Sequence, residues 1–246
     1  MKDRVALVTG GMGTIGTAII EALHEGGCKA IATFKFPGDD NAEVWQADMV
    51  KRGIEVSVVE CDVSDYETTK AAVAKVEELC GPVDILVNAA GITRDNTLRK
   101  MTPDQWDAVL SVNLDSVYNC TQPLIEGMTK RGWGRIINIS SVNGQKGQFG
   151  QANYSAAKAG MHGFTKAVAQ ETARKGVTVN TVAPGYIDSP MINAVPEEIR
   201  EGIRQMIPVQ RFGKPSEIAR TVAFLAHQEG GFITGTEISV NGGQYM

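Results

Sequence analysis

Metal-binding and disulfide chemistry have little to work with in this chain. Four cysteines and three histidines are spread over 246 residues, and no two cysteines form a Cys-x-x-Cys pair. Cys28, Cys61, Cys80 and Cys120 therefore read as reduced thiols, the state expected in a cytoplasm, and not as a disulfide framework or a zinc site. His24, His162 and His227 match no ligand spacing and read as packed or solvated side chains. No apolar run approaches the ~20 residues of a membrane span. No signal peptide is expected either, because Met-Lys-Asp-Arg leads at once into a short apolar strand. There is no excess of positive charge: the net charge is −4, which gives no electrostatic reason to expect nucleic acid or an anionic membrane as partner. Linkers, low-complexity runs and internal repeats are also missing.

What is present is alternation. Short apolar runs at 5–9, 29–33, 56–60, 83–88, 134–139, 177–182 and 237–240 read as strands. Between them, helix-forming stretches fall at 15–23, about 42–52, 66–79, 103–129, 151–173 and 215–226. Strands and helices alternating in this way predict an α/β fold: a doubly wound (Rossmann) seven-stranded parallel sheet with helices on both faces. A single domain over 1–246 is expected, with a small inserted lid at about 188–211 following the Pro/Gly cluster at Pro184 and Gly185.

The first strand runs into Thr9-Gly10-Gly11-Met12-Gly13-Thr14-Ile15-Gly16. Gly11, Gly13 and Gly16 match G-x-G-x-x-G between a strand and a helix. Glycines let a backbone approach a pyrophosphate, and the helix N-terminus beyond favours anions. The alternative is a glycine-rich connection needed only for tight helix–sheet packing. The second strand ends Thr33-Phe34-Lys35-Phe36, with Asp39 and Asp40 beyond. No arginine stands there to take a 2′-phosphate. Lys35 is a lone candidate for a phosphate and the two aspartates oppose one, so NADH is expected over NADPH.

Tyr154 and Lys158 stand four residues apart, on one face of a helix, thirteen residues after Ser141. An ammonium beside a phenol favours the phenolate, so the Tyr154 pKa is expected to fall from ~10 toward neutrality, where it can exchange a proton with a reacting oxygen. Ser141 can offer a hydroxyl to the same oxygen. Taken alone, Tyr-x-x-x-Lys is also the pattern of an ordinary surface helix.

The chain resembles the short-chain dehydrogenase/reductase family over its whole length. The matching elements are Thr9-Gly10 with Ile15-Gly16, Cys61-Asp62-Val63, Asn88-Ala89-Ala90-Gly91, Asn113, Ser141, Tyr154, Lys158 and Pro184-Gly185-Tyr186-Ile187. Thr14 departs from the pattern, which has glycine there, and its Cβ narrows the approach to the pyrophosphate. The resemblance implies a nicotinamide dinucleotide contacted by Gly10, Met12, Gly13, Thr14, Ile15, Gly16, Lys35, Asp62, Val63, Asn88, Ala89, Gly91, Pro184, Gly185 and Ile187, together with Tyr154 and Lys158. It also implies that Tyr154 is the general acid, that Ser141 polarises the carbonyl oxygen, that Lys158 lowers the Tyr154 pKa and binds ribose hydroxyls, and that Asn113 holds a relay water.

Within the family, Ala90 to Asp95, Met128 to Arg135 and Ser140 to Gln151 resemble the acetoacetyl-CoA reductases of polyhydroxyalkanoate synthesis, whose product is (R)-3-hydroxybutyryl-CoA. The 3-oxoacyl-carrier-protein reductases share most of these motifs. The acyl-CoA contacts expected are Asp95, Lys100, Gln148, Phe149, Gln151 and Tyr186, with Phe149 serving either as pocket wall or as packing. A homotetramer is implied by the same resemblance, with a dimer as the alternative.

Overall fold

All seven expected strands form in the computed structural model, which describes residues 1–34 and 40–246. They are β1 (Val5–Thr9), β2 (Lys29–Phe34), β3 (Val56–Glu60), β4 (Val83–Asn88), β5 (Gly134–Ile139), β6 (Val177–Pro184) and β7 (Glu237–Val240). They make one sheet in the order β3-β2-β1-β4-β5-β6-β7, and every neighbouring pair is parallel. Parallel pairing requires a crossover after each strand, and here the crossovers are mainly helical. The helices are α1 (Thr14–Glu25), α2 (Asp40–Lys51), α3 (Tyr66–Cys80), α4 (Pro103–Leu110), α5 (Ser116–Arg131), α6 (Val142–Lys146), α7 (Ala152–Thr172), α8 (Pro190–Asn193), α9 (Glu197–Gln205) and α10 (Pro215–Ala226). Among the described residues, no helix is long and apolar enough to cross a membrane.

Alternate side chains of each strand feed two cores. In β1, Ala6 and Val8 face Ile19, Ile20 and Leu23 of α1 and Ile218, Val222 and Leu225 of α10. Val5 and Leu7 face the other way, onto the layer built by Val73 and Val76 of α3, Leu124 and Met128 of α5 and Ala169 of α7. Both faces are thus covered, which explains why the central strands are apolar throughout and do not alternate with polar residues.

Local chemistry sets the helix ends. Asp65 caps α3 by accepting from the Thr68 amide at 2.7 Å. Thr102 and Gln105 form a capping box at the start of α4, with Pro103 in the first turn. The single helix expected at 103–129 is interrupted: α4 passes into α5 through a π turn at Ser111–Asp115. This correction has a physical cause. Asn113, fully buried in that turn, uses its amide to hold the backbone of Ile92, and a wider turn brings it there. The strand order reverses between β1 and β4, and a doubly wound sheet binds ligands in the crevice outside the strand ends at that point.

A buried polar chain seats α7 over the strand ends. Asn88 donates to Asn138 at 2.8 Å, Asn138 donates to Thr165 at 2.9 Å, and Thr165 shares a hydrogen bond with Thr181 at 2.8 Å. Polar groups this deep stabilise only when they are paired, so the chain fixes α7 in one register against the sheet.

Candidate active site

The turn after β1 is shaped by two glycines. Gly10 has φ of +62°, and a Cβ on it would lie 2.9 Å from the Cα of Ala90. A Cβ on Gly16 would lie 2.3 Å from the Gly10 carbonyl oxygen. Gly16→Ala is therefore expected to lower unfolding stability by roughly 1–3 kcal/mol, the scale of overpacking, as read by chemical denaturation. The Thr9 hydroxyl accepts from the amides of Ala89 and Ala90 at 3.1 and 3.2 Å, fastening this turn to the one after β4. No side chain caps the N-terminus of α1, whose N-cap is Gly13. Its amides are available to an anion, and the glycine cradle is one that a side chain would fill. These features fit a pyrophosphate.

This cradle forms one end of a cavity of about 450 Å³ that runs over the ends of β1, β4, β5 and β6. Ser141 follows β5 and caps the short α6, its hydroxyl oxygen accepting from the Asn143 amide at 3.1 Å. The Ser141 side chain is hydrogen-bonded to the Tyr154 hydroxyl. Asn153, fully buried, pins the first turn of α7 by donating to the carbonyls of Arg94 at 3.1 Å and Gln105 at 3.0 Å. One turn further on, Lys158 is 3% exposed. Its Nζ donates to the Ile139 carbonyl at 2.8 Å and lies 5.6 Å from the Tyr154 ring centre.

The electrostatics correct one expectation. Burial pushes the Lys158 ammonium down to about 7, so near neutral pH it is charged only in part. It does not pull the Tyr154 phenol down here. Burial raises the Tyr154 pKa above its ordinary value, the Asp95 carboxylate raises it further, and only the Ser141 hydrogen bond acts the other way. A lysine desolvated enough to lose its own proton is a weak source of field for its neighbour.

Of the cofactor residues expected, Gly10, Gly13, Thr14, Ile15, Gly16, Ala89, Gly91, Pro184, Gly185 and Ile187 line the cavity, together with Tyr154 and Lys158. Thr14 stands at the first position of α1 with its Cβ in place. Met12 packs toward the core, Val63 is buried with its carbonyl taken by Asn119, and Asn88 belongs to the buried polar chain; these three and Asp62 lie outside the cavity lining. Lys35 and Asp39 lie outside the described residues, and Asp40 opens α2.

Of the acyl-CoA residues expected, Gln151 and Tyr186 line the cavity. Gln151 is held at both ends, donating to Asp95 at 2.8 Å and accepting from Asn143 at 2.9 Å. Asp95 thus sits beside the lining and faces both Tyr154 and Tyr186. Gln148 accepts from Lys146 at 3.0 Å, Lys100 is exposed, and Phe149 is 87% exposed; none of the three lines the cavity. Asn143 and Asn153 escaped the sequence reading. The available hint was a polar residue adjoining Tyr154 and another two residues beyond Ser141.

A family model described as Enoyl-(Acyl carrier protein) reductase matches residues 11–244. The acetoacetyl-CoA reductase of Shinella zoogloeoides is 55% identical over 245 residues, 99% of each chain. That of Cupriavidus necator is 52% identical over 246 residues, the full length of both. The 3-oxoacyl-acyl-carrier-protein reductase of Vibrio harveyi is 43% identical over 246 residues, 100% of this chain and 99% of that one. Likeness of this extent, running from the glycine turn to the last strand, means that the chain belongs to the short-chain dehydrogenase/reductase family of oxidoreductases.

Proposed function

We propose that this enzyme reduces acetoacetyl-CoA to (R)-3-hydroxybutyryl-CoA. The observation that carries the reading is the Ser141–Tyr154 hydroxyl pair, with buried Lys158 one turn behind it, opening on the cavity that begins at the glycine cradle. Relatives named acetoacetyl-CoA reductase, 52–55% identical over the whole chain, support the choice of substrate.

Reductases of this family use NAD(P)H, which when bound supplies the hydride. Gly10, Gly16 and the free amides of α1 would hold its pyrophosphate, and Lys158 its ribose. Ser141, whose oxygen accepts from the Asn143 amide, still has its own hydrogen to donate to the substrate oxygen. Tyr154 keeps its proton at neutral pH because its pKa is raised, so it enters the reaction loaded as the acid that reduction needs. Asn113 spends its side-chain oxygen and nitrogen on Ile92, which leaves chiefly its backbone carbonyl for a relay water. Ser189 and Ile192 line the cavity from the 188–211 segment, in keeping with a lid. NADH is the preferred donor in this reading, since no arginine stands just after β2 in the sequence and Asp39 and Asp40 beyond Lys35 would oppose a 2′-phosphate. Four free thiols suit a reducing cytoplasm, and a homotetramer belongs to the same proposal.

Likeness to the Vibrio harveyi enzyme supports a second reading, the carrier-protein thioester as substrate. The test follows oxidation of NADH and of NADPH with each thioester. Acetoacetyl-CoA is expected to show kcat/KM at least about tenfold above the carrier-protein substrate. Turnover of the carrier substrate alone would overturn the substrate proposal, and a hundred-fold preference for NADPH would overturn that for NADH.

A further inference from the structure

His162, one turn beyond Lys158 on α7, is not the isolated histidine its sequence context suggests. Its Nδ1 lies 3.0 Å from the Glu237 Oε2 on β7, and its Nε2 lies 2.7 Å from the Ser140 hydroxyl at the end of β5. The other oxygen of Glu237 accepts from the Gln145 amide of α6. The Ser140 hydroxyl, 3% exposed, also lies 3.0 Å from the backbone carbonyl of Lys158. We propose that His162, fixed by Glu237, is a positioning residue of the reaction, setting through Ser140 how the turn carrying Lys158 sits against the β5 end that carries Ser141. This rests on the ketoreductase reading and deepens it.

An ionised carboxylate only accepts, so Nδ1 carries a proton. In the neutral ring Nε2 then has none, and the Ser140 hydroxyl must donate to it. Ser140 cannot at the same time donate to the Lys158 carbonyl. A second ring proton reverses the order: Nε2–H donates to Ser140, whose own hydrogen turns onto Lys158. The peptide run Ile139-Ser140-Ser141 is held from three sides, with Lys158 Nζ on the Ile139 carbonyl, His162 on Ser140, and Asn143 and Tyr154 on Ser141. A change at its middle member is felt by Ser141 beside it and by the turn of α7 that carries Lys158.

Three charged groups act on the ring. Glu237 from β7 raises its pKa, while Lys158 and Lys166, both on α7, lower it. Burial is the largest influence and holds the pKa below 6.5, so the neutral arrangement prevails at neutral pH. The reversed one, with a cation beside Lys158, enters only as the pH falls below 6.5.

The test uses the intact enzyme and three variants. His162→Gln keeps one donor and one acceptor but cannot titrate, whereas His162→Leu removes both bonds at similar volume. Wild type is expected to lose kcat as His162 protonates below pH 6.5. His162→Gln should keep kcat within about threefold at pH 8 and lack that acid limb. His162→Leu should lose kcat at least about tenfold with less than a threefold change in KM for the nicotinamide. Glu237→Gln should move the limb to lower pH and lower one of the three histidine titration midpoints seen by NMR. An unmoved acid limb in His162→Gln, or full kcat in a folded His162→Leu, overturns the proposal. The ring titration needs no substrate. If wild type turned over no thioester, the ketoreductase reading and the positioning role would fall together, while a lowered midpoint in Glu237→Gln would still verify the array.

Discussion

Tyr154→Phe is expected to lower kcat by at least about 10²-fold, the usual scale for a lost acid–base catalyst, while leaving nicotinamide binding intact. The substitution removes one oxygen from a position fixed by Asn153 and by the polar chain beneath α7. Little else moves, because the ring and its packing stay. The loss should fall on kcat and on kcat/KM alike, since the phenol acts on the substrate oxygen only as it gains charge. Titration of cofactor fluorescence separates the two effects. Turnover near the wild-type level, with unchanged affinity, would remove Tyr154 from the chemistry. Because Asp95 and burial both raise the pKa of this phenol, the acid form persists through neutral pH. The reductive rate should not decline between pH 7 and the alkaline range where Tyr154 loses its proton.

Much of this architecture can be read without coordinates. The strands are legible because each is a short apolar run stopped by glycine or a polar cluster, and burial on both faces demands that composition. Helix ends at Asp65 and Thr102 carry capping chemistry in the sequence itself. The π turn at Ser111–Asp115 is not legible, because periodicity continues through it and only the three-dimensional demand of Ile92 calls for a wider turn. The Ser141, Tyr154 and Lys158 set can be found by spacing, but its electrostatics cannot. Spacing places an ammonium beside a phenol, whereas the fold buries the ammonium until its charge is half lost. His162 failed as a signal for a related reason. Its partners, Ser140 just past the end of β5 and Glu237 on β7, are far apart in sequence, and no local pattern joins them. Phe149 is a different case: its nearness in sequence to Ser141 and Tyr154 allowed either a pocket wall or packing, and its side chain stands largely exposed.

Lys158→Met should abolish catalysis and yet make the folded protein more stable. Burial lowers the Lys158 pKa from 10.5 to about 7, a shift that corresponds to a folding penalty on the order of 5 kcal/mol below neutral pH. The sign follows from proton counts. Between about pH 7 and 10.5 the unfolded chain binds a proton at this lysine that the folded chain has given up, so wild-type stability rises with pH across that window. Below it both states are protonated and the full penalty stands. Methionine has a similar length and no charge, and it suits a site already bordered by Met161. Against this gain stands the Ile139 carbonyl, which loses the donor now 2.8 Å away, at a cost of roughly 1–3 kcal/mol. The net expectation at pH 6 is a variant more stable by roughly 2–4 kcal/mol, with an advantage that shrinks and reverses toward pH 10. Urea denaturation of both proteins at pH 6, 8 and 9.5 measures it. A stability difference that stays flat with pH would mean that Lys158 folds fully charged, and the electrostatic account of the site would have to be rebuilt. A difference that shrinks as the pH rises would show that this lysine is buried at a cost to the fold, as expected of a group held for its amine beside a ribose and not for its effect on the phenol.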